Sequence, residues 1–247
     1  MKKLIVLLSV LFELVLFSCK KENMNDCFTS RGVTSLEKRD LNVFRQIKLG
    51  KRIQLVLIED TVNFAEVEAG SKLLEGIETS IEGEVLTIRN TNKCNWVRTY
   101  KDSILIKLHY TDLYSIEMTG ASKITNKDTL RNSDTLKFEF RDASGDVNVM
   151  VNNKRIEIIQ HTGASDVTIN GTTNDLSVYM SGLAWGDYSK LYCKTVYVDT
   201  RSAADVKVYA TSAFDFRLRF SGDIYYRGAG TVSSSTIVGE GKIVKLP

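Results

Sequence analysis

Proline is nearly missing from this chain: the single one is Pro247. No strand therefore loses a ladder donor to a proline ring, which suits long uninterrupted sheets. Histidine is as scarce, with only His109 and His161, and neither Cys-x-x-Cys nor His-Glu-x-x-His occurs. Those gaps remove the usual zinc spacings, and the lack of a Gly-x-Ser-x-Gly turn removes the nucleophile elbow of the α/β-hydrolases. No metal or cofactor is expected. A block of one charge is also missing. The net charge is +3, with no basic run, which argues against nucleic acid as a partner. Asn-Gly or Asp-Gly hairpin turns are rare, Asn170-Gly171 being the exception within the repeats. No segment holds a 3.6-residue period long enough to predict a helix.

The one long apolar run stands at the start. Lys2 and Lys3 precede the apolar run Leu4 to Phe17, whose one charged residue is Glu13. That is a signal-sequence pattern and shorter than the roughly 20 residues of a membrane span. Leu16-Phe17-Ser18-Cys19 resembles a bacterial lipobox. Residues 1–18 are thus expected to be a signal peptide, with Cys19 lipidated and palmitate among its acyl groups. Residues 19–38 are read as the lipidated N-terminus and a polar tether, and 39–247 as one domain. The expected site is the outer membrane, lipid-anchored, with the cell surface favoured and the periplasmic face the alternative. Membrane contact is then through the anchor. Of the remaining cysteines, Cys27 and Cys94 lie in polar, turn-like contexts and Cys193 in a strand-like run. An oxidising compartment permits a Cys27–Cys94 disulfide with Cys193 left as a thiol, and other pairings stay open.

What the chain has in abundance is alternation. Ile53 to Ile58, Ile104 to Tyr110, Leu136 to Phe140 and Leu176 to Met180 alternate apolar and polar residues, as half-buried strands do. Between them one phrase recurs: Ser144-Gly145-Asp146-Val147, Ala164-Ser165-Asp166-Val167, Ala203-Ala204-Asp205-Val206 and Ser221-Gly222-Asp223-Ile224. Trp185-Gly186-Asp187-Tyr188 reads as a bulkier copy. A period near 20 residues with one small-residue corner per copy predicts a coiling β-chain rather than a sandwich. The fold class is all-β, a parallel β-helix or solenoid with rungs of about 20 residues. Residues 41–100 are expected to form early, irregular rungs with an N-terminal cap, and residues 237–244 to close the coil.

Three features carry a resemblance: the opening Arg39-Asp40-Leu41-Asn42-Val43-Phe44-Arg45-Gln46-Ile47, the segment Asn92 to Arg98 with Asp26-Cys27-Phe28 upstream, and the Gly-Ala-Ser corners at 120–122 and 163–165. Together they resemble the head GIN domain family of "putative auto-transporter adhesins", common among Bacteroides-type bacteria, over residues 40–245. The resemblance implies a right-handed β-helix-like fold and a cell-envelope location.

Two constellations merit a functional test. Asp146, Asp166, Asp187, Asp205 and Asp223 are expected to form a corner ladder. Stacked carboxylates could bind Ca²⁺, but the favoured reading is that each accepts backbone N–H groups in its own turn. Trp185 and Tyr188 are the candidate ligand contacts, since exposed aromatics anchor glycan or protein ligands. Paired carboxylates, Asp142 with Asp146 or Asp199 with Asp205, are the basis of an alternative reading as a polysaccharide-acting enzyme. The favoured function is non-catalytic: an envelope lipoprotein presenting a rigid β-helix for adhesion or recognition. A structural or sensing component is the third reading.

Overall fold

The computed structural model describes residues 31–93 and 104–247. The first half holds nine strands: β1 (Thr34–Asp40), β2 (Gln46–Leu49), β3 (Ile53–Glu59), β4 (Phe64–Gly70), β5 (Ile77–Glu82), β6 (Val85–Asn90), β7 (Ile104–Tyr110), β8 (Ser115–Thr119) and β9 (Lys123–Asn126). A further nine complete the coil: β10 (Leu130–Arg141), β11 (Asp146–Gln160), β12 (Asp166–Gly182), β13 (Trp185–Asp187), β14 (Leu191–Ser202), β15 (Val206–Leu218), β16 (Ile224–Arg227), β17 (Thr231–Ile237) and β18 (Ile243–Lys245). One 3₁₀ turn, Leu74–Gly76, is the sole helical element among the described residues.

From β8 onward every pairing is parallel. The chain is a β-solenoid, and its two long walls follow from the register. On one, here the A face, β2 pairs with β8, then β10, β11, β12, β14, β15 and β17 stack in turn. On the other, the B face, β3 pairs with β9, and β11, β12, β13, β15, β16 and β18 follow. Strands β11, β12 and β15 bend and serve both walls. Asp146 stacks on Asp166, Asp166 on Trp185, Val206 on Ile224 and Ile224 on Ile243, so rungs take 18 to 20 residues, as the period predicts.

Alternation puts identical chemistry in register. Phe138, Ile158, Val178, Val198 and Phe216 form one buried column through the A face. Each such side chain contributes about 1.5–3 kcal/mol on burial. At the corners the walls meet too closely for side chains. A Cβ on Gly145 would overlap the Ser122 carbonyl oxygen, and one on Gly222 the Ala204 carbonyl oxygen. The small corner phrase is therefore a packing requirement.

The N-terminal end is built differently. β1 runs antiparallel to β4, and β4 antiparallel to β7, while β5 folds back on β6 as a hairpin. The Arg39 guanidinium spans the two edges, donating to the carbonyls of Ile77 (2.5 Å) and Leu74 (3.2 Å) and pairing with Glu37 at 2.9 Å. This is the irregular cap expected for residues 41–100, but it begins at Thr34, inside the segment expected to be tether. At the other end β17 and β18 add a rung without closing the coil: among the described residues β17 pairs only with β15, and all seven of its residues are exposed. The signal peptide, Cys19, Cys27 and Cys94 lie outside the described residues.

Candidate functional site

The outward column of the B face reads Lys123, Asp146, Asp166, Trp185. Gly186 stacks on Val206 and Val206 on Ile224, so the column continues through Asp205 and Asp223 and ends, one rung on, at Lys242. Asp187 is not in it. It stacks between Thr168 and Lys207 in the neighbouring column. The five-aspartate ladder is thus a four-aspartate column interrupted by Trp185.

The cause is what points inward. The rung aligns Leu183-Ala184-Trp185-Gly186 with Ala164-Ser165-Asp166-Val167, so the small corner residue is Ala184 and the missing valine is Gly186. Tyr188 supplies the volume. A Cβ on Gly186 would lie 2.8 Å from the Tyr188 ring, which folds over the glycine and is fully buried. Its hydroxyl donates to Gln160 Oε1 at 3.4 Å, and Gln160 Nε2 donates to Ser165 Oγ at 3.1 Å and the Ser165 carbonyl at 3.2 Å. Burial pushes the phenol well above its ordinary range. Tyr188 is therefore a core residue and not a ligand contact, which corrects the expectation. Gln160 was not singled out from the sequence. Its signal is the polar residue that ends the apolar alternation Ile156, Ile158, Gln160.

Trp185 points outward and is half-buried, with the Lys207 ammonium 5.8 Å from its ring centroid. Asp166 and Asp205 stand one rung away on either side, about 4.8 Å along the coil. The carboxylates do different work. Asp205 accepts the backbone N–H of Asp223 at 2.9 Å, and Asp223 accepts that of Lys242 at 2.7 Å and the Tyr225 hydroxyl at 3.2 Å. The two backbone bonds tie one rung to the next. Of the five, only Asp187 accepts a backbone N–H within its own turn, from Ser189 at 3.0 Å, together with the Ser189 hydroxyl at 2.6 Å. The charge on Asp205, followed by partial burial and the Asp223 hydrogen bond, holds the Tyr225 phenol protonated. Asp146 and Asp166 are exposed, and no group of three or more metal-type ligands is found among the described residues. The arrangement is an apolar plate flanked by hydrogen-bond acceptors and one cation, suited to stacking against a flat, hydroxylated ligand.

The proposed carboxylate pairs do not face one another. Asp142 sits at the corner with φ +49° and accepts the Thr162 hydroxyl at 2.6 Å, while Asp146 opens the B face. Asp199 lies on the A face, paired with Arg219 at 3.0 Å, and Asp205 on the B face. His161 meets Glu139 at 3.0 Å. Burial opposes ionisation of Glu139, but Lys137, His161 and Arg141 outweigh it and hold the carboxyl below its usual range. His109 meets Asp60 at 2.8 Å, far from His161 along the chain. Cys193 is unbridged and buried, and burial raises its thiol well out of the reactive range.

The sequence profile described as "putative auto-transporter adhesin, head GIN domain" matches residues 43–230. Three solved structures share the fold. A "putative adhesin" of Bacteroides fragilis aligns with TM-score 0.79 at 20% identity, covering 87% of this chain and 97% of its own. A "putative lipid binding protein" of Parabacteroides distasonis gives 0.67 at 16% identity, with 87% and 98% covered. A "putative adhesin" of Parabacteroides merdae gives 0.61 at 14%, with 87% and 97% covered. No curated protein matches the chain.

Proposed function

We propose that this chain, which belongs to the head GIN domain family, is a non-catalytic, lipid-anchored envelope protein. Its B face recognises a glycan. The observation that carries this reading is Trp185, turned outward between Asp166 and Asp205 on a rigid ladder. Rigidity matters because a pre-ordered plate loses little entropy when a ligand stacks on it. The adhesin description of the family supports an envelope or cell-surface setting, and Lys2 to Cys19 supplies the sequence pattern for export and acylation.

The test is a glycan array probed with the full chain, followed by titration of the best glycan. Trp185→Ala is expected to weaken binding by about 30-fold, as loss of an aromatic hot spot of about 2 kcal/mol does. Tyr192→Ala, which removes an exposed ring elsewhere, is expected to leave it unchanged. Equal effects of the two substitutions, or release of cleaved sugar from the bound glycan, would sink the proposal.

A further inference from the structure

The C-terminal end of the coil is unguarded. Strand β17, Thr-Val-Ser-Ser-Ser-Thr-Ile, carries no charge and no proline, and among the described residues it pairs on one side only. A single bulge at Ser233 is its one irregularity. Val232, Ile237, Val238 and Phe220 are 44%, 56%, 77% and 53% exposed around it. Natural edge strands are normally blunted by charge, proline or cover, because open N–H and C=O groups recruit another strand. The opposite end follows that practice: β1 carries Glu37, Lys38, Arg39 and Asp40, and β5 carries Glu78 and Glu82.

We propose that this end docks on the same end of a second copy, with β17 antiparallel to its counterpart in a two-fold contact. On the A face a neutral β17 edge meets an equally neutral β17 edge and desolvates no charge, while the B-face edge β18, which carries Lys245, stays outside the contact. Docking on the N-terminal end of another copy would bury Glu78 and Glu82 without partners. A foreign extended peptide is the weaker candidate, since strand addition takes its specificity from side-chain pockets, and β17 offers serine and threonine instead. A two-fold contact also closes, using up both edges. The last rung supplies fewer than the about 20–30 residues a side of a standard interface, so the contact is weak and reversible.

Its consequence rests on the reading above. A chain held to a membrane through Cys19 has its N-terminal end toward the bilayer, and each coil extends roughly 50 Å at about 4.8 Å per strand. Tail-to-tail docking then joins copies on facing membranes, which is adhesion with the protein as its own ligand.

Cysteine scanning of the full chain tests this. Ser233→Cys, Ser234→Cys and Ser235→Cys, oxidised and run on a non-reducing gel, are expected to give a covalent dimer from at least one position. Thr79→Cys on β5 and the parent chain are expected to stay monomeric under the same conditions. Ser234→Lys, which places a charge on the edge, is expected to raise the dimer dissociation constant more than tenfold in sedimentation of the detergent-solubilised chain. No dimer from the three β17 positions, or a dimer from Thr79→Cys as strong, would overturn the docking. Repeating the oxidation between two vesicle populations separates the two claims. Crosslinks in detergent with none between vesicles would uphold the contact and remove the membrane-bridging reading.

Discussion

The two ends of this solenoid solve the same problem in opposite ways. At the N-terminal end the chain abandons the parallel coil: β1, β4 and β7 pair antiparallel, β5 doubles back on β6, and Arg39 ties the two edges together. Leu73 and Ile77 are buried beneath that cover. At the C-terminal end the parallel register simply continues, and Val232 and Ile237 stay in the open. The repeat specifies the body of the coil, whereas each end is specified by whatever must meet it. A covered end needs only itself. The open one is where the proposed second copy would dock.

The largest expected contrast comes from equivalent truncations. Ile77→Ala removes a buried side chain under the cap and is expected to cost about 2–5 kcal/mol. Ile237→Ala, at the matching place on the other end, is expected to change stability by less than about 0.5 kcal/mol. Urea denaturation of the full chain, read by tryptophan fluorescence, measures both. Similar costs would mean that the C-terminal rung is covered in solution even in the monomer, and the contrast between the ends would be lost.

A smaller effect is expected at Arg39. Arg39→Ala leaves the Leu74 and Ile77 carbonyls without this donor and unlinks β1 from β5. A cost of about 1–3 kcal/mol follows for partly buried acceptors. Amide exchange should accelerate in β1 and β5 while β17, already open on one side, exchanges as before. Acceleration spread evenly along the coil would show that Arg39 supports the whole ladder rather than the cap.

How far all this was legible in the sequence differs along the molecule for physical reasons. The body announces itself because stacking makes every rung answer the same constraints. Gly145 and Gly222 must be small, and Val147, Val167 and Val206 must be apolar. Trp185 lies two residues along from the place its motif predicts, because Trp-Gly-Asp imitates Ser-Gly-Asp while Trp185 itself stacks on Asp166. Register, though, is fixed by the inward residues, and there Gly186 takes the valine's place with Tyr188 folded over it. No pattern of polarity reveals that one side chain fills another's position from two residues away. Asp205 and Asp223 do accept backbone N–H groups, but from the next rung rather than from their own turns, a contact that only stacking creates. The N-terminal pairing was less legible still. β1 pairs with β4 through seven residues far apart in the chain, and its own alternation does not distinguish an antiparallel cap from another rung.

The ends should also part company in acid, in the smallest effect of the set. Across the N-terminal cap the Lys38 ammonium lies 4.2 Å from the Phe64 ring centroid, Phe64 stacks on His109 at 3.9 Å, and His109 bonds Asp60 at 2.8 Å. At the other end the Lys245 ammonium lies 5.7 Å from the Tyr226 ring centroid, and no ion pair to it is found among the described residues. The hydrogen bond from His109, then the Thr61 N–H, hold the Asp60 carboxyl below its ordinary range. Asp60 thus binds its proton less readily folded than unfolded. Its contribution is complete above the unfolded carboxylate range, about pH 4, and is lost as the pH falls through the folded value. Amides of β4 and β7 are therefore expected to lose protection as the pH falls below about 4, relative to those of β15, whose rung lies beside the open end. Asp60→Asn should abolish that difference, since the amide has no proton to gain. The Asp60 side chain is half-buried and still screened by solvent, so the shift in melting temperature stays small and local exchange is the sensitive readout. If β15 loses protection in step with β4 and β7, the cap and the open end unfold as one unit, and the two ends are not energetically separate.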